Sequence, residues 1–416
     1  MGKNGLLTLG ARRARLPPWP AALSATSLAA AVWVALSAPG LGDYPSDAGP
    51  AISALLRGDL HAFVSLRPAM GELSLFVRWP FAALGGPSAL SVYRWGAVPC
   101  VLSLAVLGLW LASIARARGT GMLGQAAIVA IALLNPLVRS ALALGHPEEL
   151  LTASLAIAGV VTAFQRRPVP TAILLGLAIA SKQWAVLALF PALAACGANR
   201  LRIVLGATAV VVTVTLPMLL VSVSALLHTQ AALVTGRVLT PGAWSWLYLP
   251  SGTITLHERG GVVFDGPRMS LAVESVLHPL IIAVAVALAL GVAWHARRSL
   301  TVDRLLAATA LAFLVRCALD PGDQPYYHVP LLATLLAWDA LRGERLPWRS
   351  LAATAVAYVL FERLSPSAVG AGMASALYDA ASIGGALVLA GCLLPGVPRR
   401  ATPEPITLGA GRPRPA

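Results

Sequence analysis

The sequence is dominated by long apolar segments that contain few charged side chains. Of its 416 residues 57% are hydrophobic and 12% are charged, whereas about 25% charged residues is usual in soluble domains. Because about 20 apolar residues cross the hydrocarbon core of a bilayer, each segment is a candidate transmembrane helix. These candidates lie near residues 20–38, 95–114, 121–138, 149–164, 203–223, 278–296, 302–319, 326–341, 349–364 and 380–396. The sequence therefore predicts an all-α polytopic membrane protein.

Residues 168–196 form a further apolar stretch, which is too long for one comfortable span and too short for two full ones. It contains Lys182, one of only two lysines in the chain. Two half-length helices hinged at Lys182, or one long tilted helix, would both account for its length. Basic residues favour the hinged pair, because it places most Lys and Arg on one side, and cytoplasmic loops collect these residues. We therefore predict about 10–12 membrane segments, with both termini cytoplasmic and Lys182 facing the outer side.

The predicted spans divide the chain into three parts. Residues 1–19 form a basic cytoplasmic N-terminus, residues 20–396 form the transmembrane domain, and the Pro- and Gly-rich residues 397–416 form a disordered cytoplasmic tail. Within the transmembrane domain, two long loops are expected on the outer side, at 39–94 and 225–277. Acidic and histidine residues collect in the outer loops, which makes this side the place to look for a functional site.

The net charge and the cysteines exclude several classes of function. The charge of +14 is mostly explained by the cytoplasmic loops, so it is a topology signal and predicts no nucleic-acid partner. The cysteines Cys100, Cys196, Cys317 and Cys392 are scattered in or beside apolar segments. They lack the close paired spacing of a zinc site and the density of a disulfide framework. We interpret them as small hydrophobic residues.

The first outer loop contains the strongest candidates for acid–base chemistry. Residues 48–57 have helical apolar spacing after the turn at Pro45, so Asp43 and Asp47 would lie at the entrance of a short surface helix. An aspartate in this position has two interpretations. It can cap the helix, or it can act as a general base whose helix lies along the membrane interface, within reach of a lipid-borne substrate.

Several short motifs resemble those of known membrane enzymes. Asp43 lies just after the first span, and Gly58, about fifteen residues later, ends a juxtamembrane helix. This pattern resembles the first-loop signature of the GT-C superfamily of membrane glycosyltransferases. The later motifs are similar, in their order, to family 87 glycosyltransferases of the polyprenol-phosphate-mannose-dependent type. They are Asn135-Pro136, Gly145-His146-Pro147-Glu148-Glu149, the run at 176–184 and Pro325-Tyr326-Tyr327-His328.

This resemblance implies a fold and an activity. The fold would be a GT-C-like bundle with a juxtamembrane helix in the first outer loop. The activity would be transfer of a sugar, mannose-like, from a polyprenyl-phosphate donor to a lipid or glycan acceptor at the outer face of the plasma membrane. The first-loop aspartate of the family serves as general base, which maps to Asp43, with Asp47 as a second catalytic candidate. Membrane lipids are the other expected partners, and no cofactor is implied, although a divalent metal is not excluded.

The residues at 182–184 are candidates for binding the donor phosphate. A lysine at membrane depth costs at least about 2.5 kcal/mol, so such residues usually face a cavity or a partner. Lys182 could extend to the interface, or it could place its charge on the carrier phosphate, with Gln183 donating a further hydrogen bond. Trp184 could lie against a prenyl chain or a sugar ring, or it could be an ordinary interfacial aromatic residue.

A second group of phosphate candidates lies at the entrance to a later span. His328 could donate hydrogen bonds to a phosphate, or it could be structural. Arg316 could contact the phosphate too, or pair with Asp320 one turn later. Tyr326 and Tyr327 are candidate substrate contacts, although an interfacial aromatic belt also explains them.

His146, Glu148 and Glu149 form the third candidate group. The two glutamates open a helix, where negative charge complements the helix dipole, so capping is one explanation. Alternatively, these side chains bind hydroxyls of the donor sugar or a divalent ion. Their spacing has none of the specificity of a known metal motif, so we predict no metal site here.

A transporter or lipid flippase is the rival interpretation, because a lysine between broken helices also suits an ion-coupled carrier. Two features argue against it. The two halves of the chain show no obvious repeat, and the acidic residues lie in outer loops more than at the middle of the membrane. A scaffold protein without catalysis is a third possibility.

Overall fold

The computed structural model describes most of the membrane domain. The described residues are 19–66, 71–224, 301–320 and 323–393, the backbone of 252–258 and 261–268, and single residues or short runs between 280 and 294. The basic N-terminus up to residue 18 and the tail at 397–416 lie outside them, as does most of the span expected near 278–296.

The first half of the chain is a series of helices joined by short connections. They are α1 (Trp19–Leu36), α2 (Ala48–Leu56), α3 (Leu60–Ser65), α4 (Glu72–Ala82), α5 (Ala89–Ala117), α6 (Met122–Leu134), α7 (Pro136–Ala143), α8 (Glu148–Phe164), α9 (Pro168–Ser181), α10 (Leu189–Cys196) and α11 (Arg200–Val221). The later helices with defined bounds are α12 (Val302–Leu319), α13 (Val329–Arg342), α14 (Trp348–Ala357), α15 (Pro366–Val369) and α16 (Ala371–Gly391). A π-helical segment, Tyr358–Arg363, continues α14.

Five helical segments of the described residues are long and apolar enough to cross a membrane. They are Trp19–Leu36, Ala89–Ala117, Met122–Ala143, Gln183–Val221 and Gly372–Gly391. The chain is thus a helical membrane protein. Other expected spans are shorter or carry more charge, so the count of about 10–12 stays a prediction for them.

Two helix breaks interrupt expected spans. Asn135 separates α6 from α7, because its side-chain oxygen accepts hydrogen bonds from the amides of Leu137 and Val138 at 2.9 and 3.1 Å. Lys182 separates α9 from the 3-10 helix Gln183–Ala188, and its φ and ψ of −153° and 134° are those of an extended residue. Residues 168–196 therefore form a hinged pair of short helices rather than one long tilted helix.

The helix predicted at 48–57 is present as α2, and its apolar face is buried inside the protein. Ala48 and Ile52 are fully buried in α2 and Leu55 is 4% exposed. The apolar face of α2 packs against α3 and α4, which belong to the same loop. The sequence pattern showed that α2 has an apolar face, but it did not show that later helices of this loop would cover it.

The core is centred on α8, which packs against α5, α9 and α13. Almost all of α8 is buried, including both acidic residues of its first turn, Glu148 and Glu149. Buried charges of this kind need partners, and the elements that supply those partners meet at this end of α8.

Within residues 225–277, predicted to form a late outer loop, the described residues form an antiparallel hairpin, β1 (Gly252–Glu258) paired with β2 (Gly261–Arg268). The sequence analysis predicted no strand here. The hairpin is a small addition to a helical fold.

Candidate active site

Close backbone contacts hold the first loop against the start of α8. The amide of Asp43 donates a hydrogen bond to the carbonyl of Leu144 at 3.0 Å. Gly145 has a φ of +89°, and a Cβ atom there would lie 2.6 Å from the carbonyl oxygen of Leu41. A side chain at Gly145 would therefore be strained and would push the loop away. These contacts fix the position of Asp43 next to His146.

His146 links Asp43 to the buried core. Its Nε2 atom lies 3.3 Å from Oδ2 of Asp43, and its Nδ1 atom lies 3.0 Å from Oε1 of Glu148. His146 is buried, and its ring stacks on Tyr326 with 4.9 Å between the ring centres. The Asp43 side chain is 66% exposed. Asp43 is thus an accessible carboxylate whose orientation is set by a buried imidazole.

The charges of Asp43 and His146 stabilise each other. The hydrogen bond from His146 lowers the pKa of Asp43, against a smaller opposing effect of burial. Burial alone would lower the pKa of His146, but the hydrogen bonds to Asp43 and Glu148 outweigh it and raise this pKa to about 9. Asp43 is therefore ionised, and His146 positively charged, at neutral pH.

Removal of the imidazole should change the pH dependence of any activity that uses Asp43 as a base. In His146→Gln the carboxylate loses a charged partner, so its pKa rises and the acid limb of the kcat/KM profile moves to higher pH. His61→Gln, in the exposed part of α3, is the matched control and should leave the profile unchanged. An unshifted acid limb in His146→Gln would show that the imidazole does not set the ionisation of Asp43.

The same contacts predict a loss of stability in alkali. The folded-state pKa of His146, about 9, is above its value of about 6.5 in an unfolded chain. Its contribution to stability is therefore complete below about pH 6.5 and is lost as the pH rises through the folded-state value. Thermal unfolding between pH 7 and 10 should show this loss in the wild type and less of it in His146→Gln.

A buried ion network surrounds Glu148. Its Oε2 atom lies 3.2 Å from a guanidinium nitrogen of Arg78, and both side chains are fully buried. The guanidinium of Arg78 also lies over the ring of Tyr44, 5.5 Å from the ring centre. Arg78 is not among the site residues predicted from the sequence. Its place inside the apolar run of α4 could have indicated a buried ion pair, because a charged side chain at such a position usually has a buried partner.

Lys182 completes this network. Its Nζ atom lies 3.2 Å from Oε1 of Glu148 and 3.4 Å from Oε1 of Glu149. The indole nitrogen of Trp184 donates a hydrogen bond to Glu149 at 2.8 Å. The Lys182 side chain is 20% exposed, so it does not extend freely to an interface. The two glutamates are paired with side chains and not only placed to complement the helix dipole.

Arg316 reaches the cluster from α12. Its guanidinium carbon lies 4.4 Å from the ring centre of Tyr327 and 5.4 Å from that of Trp184. One of its terminal nitrogens is 3.9 Å from Asp320, and the other is buried without a hydrogen-bond partner among the described residues. Tyr327 in turn contacts Tyr326, with 4.9 Å between ring centres. Arg316 therefore has a hydrogen-bond donor to spare.

Two of the expected site residues, Asp47 and Gln183, have different surroundings. Asp47 occupies the position before α2 but accepts no capping hydrogen bond. Burial raises its pKa, and the positive charges of His146 and Lys182 oppose this rise. Gln183 is exposed at the start of its 3-10 helix.

His328, the other phosphate candidate from the sequence, contacts residues outside the cluster. Its ring contacts Phe361 and Tyr378, and its Nε2 atom lies 3.0 Å from the Tyr378 hydroxyl. The 3-10 helix Pro325–His328 turns Tyr326 and His328 to different neighbours, since Tyr326 stacks on His146. A sequence pattern alone does not show this divergence.

The cluster combines two chemical capabilities. Asp43 is an exposed, ionised carboxylate, which can accept a proton from a bound hydroxyl. Arg316 is a guanidinium held between two aromatic rings, which suits an anion next to an apolar or sugar surface. A continuous series of side-chain contacts through His146, Tyr326 and Tyr327 joins Asp43 to Arg316. An acid–base step beside an anion site is the chemistry that this arrangement supports.

Comparison with known proteins gives one family match. The model of Glycosyltransferase family 87 matches residues 73–320. This range contains Arg78, His146, Glu148, Lys182 and Arg316, but not Asp43. No curated protein matches the chain.

Two solved structures are similar to the chain. They are the oligosaccharyltransferase of Archaeoglobus fulgidus in the apo form, and the archaeal oligosaccharyltransferase AglB of the same organism in complex with an inhibitory peptide and a dolichol-phosphate. Each is 14% identical with a TM-score of 0.41, and the alignments cover 90% and 92% of this chain. They cover 56% of each archaeal protein, so the chain spans about half their length.

Proposed function

Because the chain belongs to glycosyltransferase family 87, we propose that it is a membrane glycosyltransferase with Asp43 as its general base. The reaction would move a sugar, mannose-like, from a polyprenyl-phosphate donor to a lipid or glycan acceptor. Family membership confirms the family 87 resemblance of the sequence motifs, and the described helices confirm the helical membrane fold class. A GT-C-like arrangement of these helices is part of the proposal. The observation that carries the assignment of Asp43 is its contact with His146, which holds an exposed, ionised carboxylate 3.3 Å from a buried imidazole and lowers its pKa.

The transfer is a single displacement in this proposal. The acceptor hydroxyl attacks the anomeric carbon of the sugar, its proton passes to the Asp43 carboxylate, and the bond between the anomeric carbon and the phosphate oxygen breaks. The polyprenyl phosphate leaves with the electron pair of that bond and gains negative charge. A base on one side and a cation on the other are therefore the two groups that this reaction requires.

Arg316 is the better placed of the two cations for the leaving phosphate. Lys182 contacts two glutamates, so much of its charge is already balanced. Arg316 has one buried nitrogen without a hydrogen-bond partner among the described residues, and it lies over Tyr327 and Trp184. We assign Lys182 to holding Glu148 and Glu149 in place, with a secondary effect on the phosphate through its charge. The two rings over Arg316 would cover the sugar or the first prenyl unit.

Loss of the Arg316 guanidinium should weaken donor binding. A hydrogen bond to a charged group contributes about 1.5–3 kcal/mol, so Arg316→Gln should raise the donor KM by about 10- to 100-fold. Arg363→Gln is the matched control, because Arg363 is an exposed arginine over the ring of Tyr358, at 5.2 Å. An unchanged donor KM in Arg316→Gln would remove Arg316 from the phosphate site.

Reconstitution tests the proposed function. Purified protein in liposomes would be given radiolabelled sugars linked to polyprenyl phosphate, together with membrane lipid and glycan acceptors. We expect transfer of label to an acceptor, and assays with and without a chelator show whether a divalent ion is needed. Movement of the labelled donor across the bilayer without transfer would instead support the rival interpretation of a lipid flippase.

The site also implies an orientation in the membrane. Asp43, His146, Lys182 and Tyr326 lie in one cluster, and the distribution of basic residues assigns their loops to the outer side. We propose that the cluster opens to the outer face of the plasma membrane, with both termini cytoplasmic. Cysteine labelling by a membrane-impermeant reagent would test this, because a cysteine at Ser46, an exposed position in the first loop, should react in intact cells.

A further inference from the structure

A second cluster of polar side chains lies at the other side of the Tyr326–Tyr327 pair. Cys317 ends the last turn of α12, Asp323 follows in the connection, and His328 ends the 3-10 helix before α13. All three are buried, and one ligand atom of each lies within 4.8 Å of the others. Neither the base nor the phosphate site of the proposed reaction uses these residues.

The carboxylate of Asp323 shows that this cluster is incomplete. Both of its oxygens are buried and make no hydrogen bond of normal geometry among the described residues, and the nearest donor is the Tyr378 hydroxyl. The nearest cationic candidate is Nε2 of His328, at 3.8 Å. A buried carboxylate whose oxygens lack good hydrogen bonds is unfavourable, so a ligand that satisfies it would stabilise the fold. The ligand must carry positive charge and accept these three donor types.

We propose that Cys317, Asp323 and His328 bind one divalent transition-metal ion, with Zn²⁺ as the best fit. Sulfur, imidazole nitrogen and carboxylate oxygen are the ligand types of Zn²⁺, and a set of three protein ligands leaves a fourth position for water. A thiolate and a carboxylate together balance the two charges of the ion, so the complex is neutral and suits a buried position. Ligand atoms around Zn²⁺ are about 3.3–3.7 Å apart, which requires only a modest contraction of the cluster.

The surroundings of His328 fit this role. Its Nδ1 atom lies 3.3 Å from the carbonyl oxygen of Pro325. A metal-binding histidine usually donates one ring N–H to a carbonyl or carboxylate, which leaves the other nitrogen free to bind the ion. The Tyr378 hydroxyl now contacts Nε2 at 3.0 Å and lies next to Asp323, so it can turn to the carboxylate when Nε2 binds metal.

The ion would act as a structural clamp. It joins the end of α12 to the start of α13, and between its ligands lie Tyr326, which stacks on His146, and Tyr327, which lies under Arg316. This part of the inference rests on the proposed function, because those tyrosines line the candidate active site. Metal binding itself does not depend on it. The site is not apparent from the sequence, because its three ligands have no recognised spacing and the surroundings of Cys317 are those of a small hydrophobic residue.

Metal binding can be measured directly on the full-length protein in detergent. After removal of metals with a chelator, one equivalent of Zn²⁺ per chain should bind, and Co²⁺ should produce a thiolate-to-cobalt charge-transfer band. Cys317→Ser retains a side chain that can contact the Tyr327 carbonyl, which the Cys317 sulfur does at 3.2 Å, but it should lose this band. Its affinity for Zn²⁺ should fall by more than about 100-fold, since even partners outside the ligand set contribute 10- to 100-fold.

Two further variants test the metal site if Cys317→Ser folds poorly. Cys392→Ser changes a half-buried cysteine outside the cluster and should leave the cobalt band intact. Asp323→Asn removes the buried charge, so it should raise the Tm of the metal-free protein but reduce the further increase that Zn²⁺ produces in the wild type. Failure of the wild type to bind Zn²⁺ or Co²⁺, or an equal cobalt band in Cys317→Ser, would overturn the proposal, whatever the outcome of the transferase assay.

Discussion

Asp43→Asn is expected to lower the rate of sugar transfer by about 10²- to 10⁴-fold, which is the usual contribution of a general base. The amide has nearly the same size as the carboxylate, so the contact with His146 and the backbone bond to Leu144 can persist. What is lost is the ability to accept the proton of the acceptor hydroxyl. The measurement is kcat for transfer from a polyprenyl-phosphate sugar, with donor KM recorded in parallel and expected to change little.

Two matched variants make this result specific. Asp59→Asn changes an exposed aspartate of the same loop, whose side chain caps α3 through the amide of Ala62 at 2.8 Å. Asparagine caps equally well, so this variant should transfer at the wild-type rate. Asp47→Asn should cause a smaller loss than Asp43→Asn, because Asp47 is half-buried and makes no direct contact with His146 among the described residues. If Asp43→Asn transfers sugar at a rate within a few-fold of the wild-type rate, Asp43 is not the base.

Glu148→Gln should produce the largest loss of stability, about 3–5 kcal/mol, because it removes the charge that balances Arg78 inside the protein. Glu148 also contacts His146 and Lys182, so the loss extends to both sides of the candidate active site. The measurement is unfolding of the purified protein in detergent, by heat or denaturant.

A double variant separates the charge from the packing. Arg78→Leu with Glu148→Gln removes both charges, so it should recover part of the stability that Glu148→Gln alone loses. Glu344→Gln serves as control, because Glu344 pairs with Arg342 and Arg349 where its side chain is 27% exposed; its loss should stay below about 1 kcal/mol. Equal stability losses in Glu148→Gln and Glu344→Gln would mean that the buried network does not stabilise the fold.

Much of this architecture follows from simple properties of the sequence. Scarcity of charge and the length of the apolar runs predict a helical membrane protein. The hinge at Lys182 was one of two alternatives, and basic residues in the loops favoured it correctly. The outer-side grouping of Asp43, His146, Glu148 and Lys182 was expected from topology, and the structure does bring these side chains together.

The partners within the site were harder to predict. Because Lys182 lies among apolar residues, its charge was expected to be available for a phosphate. In the structure Glu148 and Glu149, on a neighbouring helix, pair with it. The partners of Arg78 and His328 could not be predicted from the sequence either. Tertiary packing decides which face of α4, or of the 3-10 helix Pro325–His328, turns inward. Partners such as Arg78 and Glu148 are also too far apart in sequence to form a local pattern.

A structure of the protein with a bound polyprenyl phosphate would show whether the base from the first loop and the cation that holds the donor phosphate face one cavity. We predict the phosphate within hydrogen-bond distance of the Arg316 guanidinium, with Asp43 open to the same cavity and room between them for a sugar and an acceptor hydroxyl. A phosphate bound at the opposite end of α8, or separated from Asp43 by packed helices, would mean that Asp43 and Arg316 do not act on the same substrate.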